Sequence, residues 1–182
     1  MPEDVEIIYF HGPVFQDIFY QYTDIVRFVN GAESDLLTKD VLSQMRNKMF
    51  LIDDCYFEIN KRDKDLIRFL FCTITHHSNS SCYLLLHNLY SQSIASLRET
   101  VLNANFFAFT SSPTNKSMLR TWALQFYPKR WKSVLSILDH IFSQSRFAYA
   151  TFDFSPWKDD RYRVSTYLTP EEGDRCLYLF TD

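Results

Sequence analysis

Four short apolar runs, Val5–Phe10 (VEIIYF), Met49–Ile52 (MFLI), Cys82–Leu86 (CYLLL) and Phe106–Thr110 (FFAFT), are separated by stretches whose apolar residues recur at helical spacing. Runs this short suit buried strands, and strands that alternate with helices build a parallel sheet covered on both faces. The alternation predicts an α/β fold with a mostly parallel central sheet. Between the runs, Phe15, Ile18, Phe19, Tyr22, Ile25, Val26 and Val29 predict a helix over Phe15–Asn30, with Gly31 where a C-cap would stand. Ser34 or Asp35 can cap a second helix through Leu36, Leu37, Val41, Leu42 and Met45. Asp63 can cap a third that carries Leu66, Ile67, Leu70, Phe71 and Ile74, and Ser91–Leu102 reads as a fourth.

The last third has a different rhythm. A basic helical stretch runs through Trp131, Val134, Leu135, Leu138 and Ile141. Arg146–Phe154 and Arg161–Leu168 then predict an antiparallel hairpin around a turn holding Pro156 and Asp159-Asp160. Pro170 and Gly173 mark a further turn, and Cys176–Phe180 (CLYLF) a final strand. With 182 residues, no internal repeat and no Gly/Ser linker, residues 1–182 are expected to form one domain.

Only three glycines occur: Gly12, Gly31 and Gly173. A phosphate-binding loop needs several, because its backbone adopts positive φ and closes on an anion. His11-Gly12-Pro13-Val14 has the strand–glycine–helix layout of such a loop but lacks its second glycine and its Lys-Ser/Thr pair. Gln16 and Asp17 stand near where the cation and hydroxyl belong, and an aspartate repels phosphate. The loop therefore reads as a structural turn or as a degenerate nucleotide contact.

Other candidate chemistry is sparse. Asp53-Asp54 end an apolar strand, the place where α/β ligands usually bind, and could hold a metal or orient a water; a solvated strand end or a nearby helix cap is the plainer account, since no third acid or His follows at ligand spacing. His76-His77, His87 and His140 fall in no metal-ligand spacing. No serine sits in a nucleophile elbow. Cys55, Cys72, Cys82 and Cys176 contain no CxxC pair, and three of them lie in apolar runs that suit core thiols in a reducing compartment. No signal sequence opens the chain and no stretch nears the ~20 apolar residues of a membrane helix, so no membrane partner is expected.

Charge is uneven although the net charge is only −3. Residues 1–60 are acidic, whereas from Lys116 to Arg146 the cations Lys116, Arg120, Lys129, Arg130, Lys132 and Arg146 meet only Asp139. Pro113–Lys132 also interleaves Trp122, Phe126, Tyr127 and Trp131. Cations neutralise phosphates while aromatic rings stack on bases, so this segment is the nucleic-acid candidate. A solvated helix face whose aromatics lie in the core is the alternative.

The order of elements resembles the ATPase core of RecA-type strand-exchange recombinases, and more specifically their shortened paralogues. Met49–Ile67 (MFLIDDCYFEINKRDKDLI) resembles the family segment in which an acid-ended strand leads through a charged turn to a helix. Cys82–Tyr90 (CYLLLHNLY) resembles the Walker B strand, Phe106–Asn115 (FFAFTSSPTN) the next core strand, and Phe147–Phe180 the closing hairpin with its Pro-Glu turn at Leu168–Glu172. The resemblance implies a RecA-like, P-loop-type core with a C-terminal antiparallel hairpin. The phosphate loop is degenerate, His87 or Asn88 replaces the Walker B acid, and the family's N-terminal DNA-binding domain is not expected before Val5.

A chain with those departures would not be an enzyme and would carry no cofactor of its own. The resemblance implies a subunit of the Shu-complex type, or of the type of the small nematode recombinase-paralogue partner. Such a subunit is nuclear, pairs with a recombinase paralogue as a heterodimer, and stabilises or remodels recombinase filaments on single-stranded DNA during homologous recombination. By position, Pro113–Lys132 corresponds to the DNA-facing loop, Asp53 and Asp54 mark an edge facing the partner, and ATP with magnesium is held by the partner subunit. Two other readings stand beside this one: a metal-dependent hydrolase using Asp53 and Asp54, and an interaction scaffold with no nucleic-acid role.

Overall fold

A computed structural model describes residues 5–14, 17–31, 34–90, 95–112, 116–166 and 177–178. The chain divides into two units, Met1–Asn103 and Ala104–Asp182, and each carries its own four-stranded sheet.

In the first unit the strands β1 (Glu6–His11), β2 (Val26–Asn30), β3 (Lys48–Ile52) and β4 (Ser81–Leu84) are all parallel, in the order β2-β1-β3-β4. The runs Val5–Phe10 and Met49–Ile52 take the two central places, and Ile8, Phe10, Phe50 and Ile52 are wholly buried. Between the strands lie α1 (Lys39–Gln44), α2 (Tyr56–Arg62), α3 (Leu66–Phe69), a single π turn (Leu70–Ile74) and α4 (Thr75–His77), and α5 (Ala95–Asn103) follows β4. Leu42, Ile59, Leu66, Ile67, Leu70, Leu97 and Val101 supply their buried faces. Asp63 works where α2 gives way to α3: its carboxylate accepts from the Asp65 amide at 2.9 Å and its carbonyl from Leu66 at 3.2 Å.

Three expectations change here. Phe15–Asn30 is not one helix. A short 3-10 turn covers Asp17–Tyr22, and Val26–Asn30 is strand β2, paired in register from Ile7↔Val26 to His11↔Asn30. Val26, Phe28 and Val29 are β-branched or aromatic and gain more from lying along β1 than from a lone amphipathic helix. Gly31 consequently caps no helix. The second helix starts later than Ser34 or Asp35 because Thr38 caps it, its hydroxyl accepting from the Val41 amide at 3.3 Å.

In the second unit β5 (Phe106–Thr110), β6 (Tyr149–Asp153), β7 (Val164–Ser165) and β8 (Leu177–Tyr178) form an antiparallel sheet in that order. The hairpin predicted at 146–168 is present as β6–β7, held in part by the Thr151 hydroxyl donating to the Ser165 carbonyl at 3.1 Å. The expected single, mostly parallel sheet does not extend to Phe106–Thr110, which pairs antiparallel with β6 from Phe106↔Asp153 to Thr110↔Tyr149. Its burial alternates, with Phe107 and Phe109 inside and Phe106, Ala108 and Thr110 exposed. That period of two is the mark of a strand with one wet face, not of one covered on both. The turn expected at Pro170 and Gly173 lies outside the described residues.

Two helices complete this unit, α6 (Lys116–Phe126) and α7 (Trp131–Gln144). Pro128 separates them, since proline has no N–H to donate and disfavours helical backbone in the residue before it. Trp122 is fully buried, with the rings of Phe107, Phe109, Phe126, Phe152 and Phe154 between 4.5 and 6.1 Å from its own. On α7, Val134, Leu138 and Ile141 recur at helical spacing and are buried.

Candidate functional site

In the first unit the chain leaves β1 towards β2 on one side and later resumes at β3 on the other. Strand order therefore reverses at the β1/β3 pair, and in open parallel sheets the carboxyl ends of such a pair bound the usual ligand crevice. His11, Gly12, Pro13, Val14, Phe19, Asp53 and Asp54 line a crevice of about 140 Å³ there. Backbone bonds from Asp53 to Phe10 at 2.8 Å and from Gly31 to His11 at 3.0 Å carry the ladder past the strand ends and fix its rim.

Gly12 has no positive φ to satisfy; it is a matter of room. A Cβ there would stand 3.0 Å from the Asp54 carbonyl oxygen and 3.3 Å from the Asp54 Cβ. The turn is packed against the β3 end. Of the other residues of the degenerate phosphate loop, Asp17 begins the 3-10 turn, and Gln16 lies outside the described residues.

The two carboxylates have different partners. The Tyr9 hydroxyl donates to Asp53. Burial first, and then that carboxylate, push the Tyr9 phenol well above its ordinary range, so it stays a donor. Asp54 has left-handed backbone at φ 51, which aspartate tolerates better than most residues, and its Oδ1 lies 3.2 Å from Nε2 of the exposed His87. No group of three His, Cys, Asp or Glu side chains able to hold a metal occurs among the described residues. Sequence reasoning anticipated the acids at the strand end. It missed Phe19, which stacks on Phe28 at 4.8 Å and meets Tyr9 at 5.2 Å, because Phe19 belongs to the stretch read as a helix.

The basic segment of the second unit resolves into two kinds of residue. Trp122 is buried, and Phe126 and Tyr127 pack on Phe154 at 5.1 and 5.7 Å, so these three rings belong to the core. Burial also raises the Tyr127 phenol above its usual range. Trp131 differs: it is half-buried at the start of α7, with the Arg120 guanidinium 5.3 Å and the Lys132 ammonium 5.6 Å from its ring. Lys116, Arg120, Lys129 and Lys132 are exposed, and no carboxylate among the described residues pairs with them. Arg130 is half-buried, and its amide closes the α6–α7 turn onto the Tyr127 carbonyl at 2.9 Å. The structure thus gathers Arg120, Lys129, Arg130 and Lys132 about one turn, with Lys116 at the other end of α6.

No helix among the described residues is long and apolar enough to cross a membrane. No protein-family model matches the chain, and neither does any curated protein or any solved structure.

Proposed function

We propose that the chain acts without catalysis, as a binding subunit for single-stranded nucleic acid, through the α6–α7 turn of its second unit. The observation that carries this is the bracketing of the Trp131 ring by Arg120 and Lys132 beside Lys129, an aromatic surface ringed by cations that no carboxylate among the described residues neutralises. Phosphates take the cations and a base takes the ring, and neither contact needs a particular sequence. The β1/β3 crevice supports a surface rather than a pocket as the working site. Its volume of about 140 Å³ is under half the ~300 Å³ at the small end of ligand pockets.

The finer reading follows from the sequence resemblance. The subunit would pair with a recombinase paralogue in the nucleus and act on recombinase filaments on single-stranded DNA, with ATP and magnesium held by the partner.

The test is anisotropy of a fluorescein-labelled thymidine oligonucleotide with the full chain across a salt series. Changing Lys129, Arg130 and Lys132 together to Ala is expected to weaken binding and to flatten the slope of log K against log salt by ~0.7 for each phosphate that is no longer neutralised. An unchanged slope would remove the α6–α7 turn as the phosphate site. Turnover of ATP by the chain alone at an ordinary enzyme rate would overturn the non-catalytic reading.

A further inference from the structure

Beyond the α6–α7 turn, the loop between β6 and β7 presents an indole that the reading above does not use. Trp157 is 84% exposed, in a unit whose other aromatic side chains mostly pack on one another. Leaving an indole in water forgoes one of the largest gains from burial available to any residue. Here the exposure is also built. The Ser155 amide donates to Asp153 Oδ1 at 2.9 Å and the Lys158 amide to the Ser155 carbonyl at 2.9 Å, closing a turn with Pro156 in its second place and Trp157 at its apex. Next along, Arg161 grips Asp159 through both Nε and a terminal nitrogen, at 3.1 and 2.8 Å. The Tyr162 amide meets the Asp159 carbonyl at 3.0 Å, and Arg163 pairs with Asp160 at 2.6 Å while lying 5.1 Å over the Phe154 ring. An aromatic ring on a preorganised turn costs little entropy to engage.

The position of this loop matters as much as its exposure. Phe106 faces Asp153 in the β5–β6 register, and Phe154 is bonded to the Asn105 carbonyl at 2.7 Å. Phe126 and Tyr127, the end of α6, pack on that same Phe154. Lys129 follows Tyr127 by two residues and Trp157 follows Phe154 by three, reaches of at most roughly 7 and 11 Å of chain. Trp157 and the cationic turn therefore share one end of the second unit, within the span of a site for ~4 nucleotides or more. Phe147 is as exposed as Trp157, but it precedes Tyr149 at the other end of β6 and has no part in this surface.

Charge decides what the loop contributes. Asp159 and Asp160 already engage Arg161 and Arg163, so the loop adds little net positive charge beyond Lys158. We infer that Trp157 is a base-stacking platform for single-stranded nucleic acid, set beside the phosphate-binding cations of the α6–α7 turn. This inference rests on the nucleic-acid reading and names its ring contact; protein docking on the same indole is the competing outcome.

The experiment is the same oligonucleotide titration of the full chain, with Trp157→Ala, Trp157→Phe and Lys129→Ala/Lys132→Ala. Trp157→Ala is expected to weaken binding roughly ten- to a hundredfold with an unchanged salt slope, and Trp157→Phe to recover most of the loss. The lysine pair is expected to change the slope. If Trp157→Ala binds as tightly as the unaltered chain while the lysine variant is weakened, stacking at Trp157 is overturned and the nucleic-acid reading survives. If Trp157→Ala lowers the salt slope as well, the ring acts through the cations and is not a platform. If the unaltered chain binds no oligonucleotide, both fall.

Discussion

Gly31 lies so close to Cys55 that a Cβ on the glycine would stand 2.5 Å from the Cys55 Sγ and 3.0 Å from its Cβ. The glycine is not in left-handed backbone; it is needed because the end of β2 passes against the start of α2. Cys55 has little freedom to retreat, being fully buried with its thiol donating to the Phe10 carbonyl at 3.4 Å. Gly31→Ala is expected to destabilise the chain by about 1–3 kcal/mol through overpacking. Gly31→Ala with Cys55→Ala replaces the displaced sulfur by a methyl of the right position, so the pair is expected to cost less than the sum of the single changes by at least ~1 kcal/mol. Urea unfolding of the four chains measures this coupling, and strict additivity would show the contact to be soft.

The same burial fixes the chemistry of Cys55. Desolvation, only partly opposed by a backbone hydrogen bond, pushes its thiol up to about 12 from an ordinary value near 9. In the unfolded chain the thiol ionises near 9; in the folded chain it does not. The unfolded state then holds fewer protons between about 9 and 12, and stability falls as pH rises through that window. Cys55→Ala is expected to lose less stability between pH 8 and pH 11 than the unaltered chain, by denaturant titration. In the folded state at pH 8, alkylation of Cys55 is expected to proceed no faster than unfolding, since the reactive thiolate is both rare and enclosed.

How much of this was legible in the sequence follows from which interactions decide each element. The central strands were legible because each holds a continuous apolar run; in β3 Phe50 and Ile52 are fully buried, with Leu51 half-buried on the other face. Strand β2 was not. Its neighbours Ile18, Phe19, Tyr22 and Ile25 mimic a helical stripe, and what overrides that stripe is the ladder to β1 with the Tyr9, Phe19 and Phe28 rings packed on one another. Pairing partners distant in sequence leave no local trace. Phe106–Thr110 was read as a strand correctly and given the wrong neighbour: its exposed positions Phe106 and Ala108 are apolar too, so the one wet face shows in its burial and not in its residue types. At the candidate sites, acids at the end of β3 and cations near Trp131 could be seen directly. Trp157 could not, because Ser155-Pro156-Trp157-Lys158 signals a turn but not which way its ring faces.

The core of the second unit turns on Trp122, the wholly buried ring on which the phenylalanines of β5 and β6 converge. Its indole Nε1 is buried with no acceptor among the described residues. Truncation and replacement by a smaller aromatic ring should therefore behave very differently. Trp122→Ala removes a ring that six others touch and is expected to cost about 3–5 kcal/mol. Trp122→Phe leaves part of the volume empty but also removes a buried donor that meets no acceptor among the described residues, a burial that carries a penalty of ~1–3 kcal/mol. The phenylalanine variant is expected to lose less than half of what the alanine variant loses. Equal losses in a denaturant titration would mean that the indole N–H is satisfied in solution.

Asp159 sets the acid limit of the loop that carries Trp157. The hydrogen bond from Arg161, reinforced by the Arg161 backbone amide, holds its carboxyl at about 2, well below the ordinary 3.8. A carboxylate depressed on folding contributes its stability above the unfolded value and loses it as pH falls through the folded one. The clasp is thus expected to be complete at neutral pH, to weaken as pH drops below 3.8 and to open near 2. The pair is exposed, so the effect on global stability is small, and the readout is local. In a carbon-detected NMR titration the Asp159 carboxyl is expected to titrate near 2, below the ordinary 3.8, and the Arg161 Nε–H resonance to broaden over the same range. Asp159→Asn keeps the acceptor for the Arg161 amide but removes the charge, and is expected to free the guanidinium at neutral pH while leaving the 155–158 turn in place. An Asp159 midpoint at the ordinary carboxylate value would show that Arg161 does not hold it in solution.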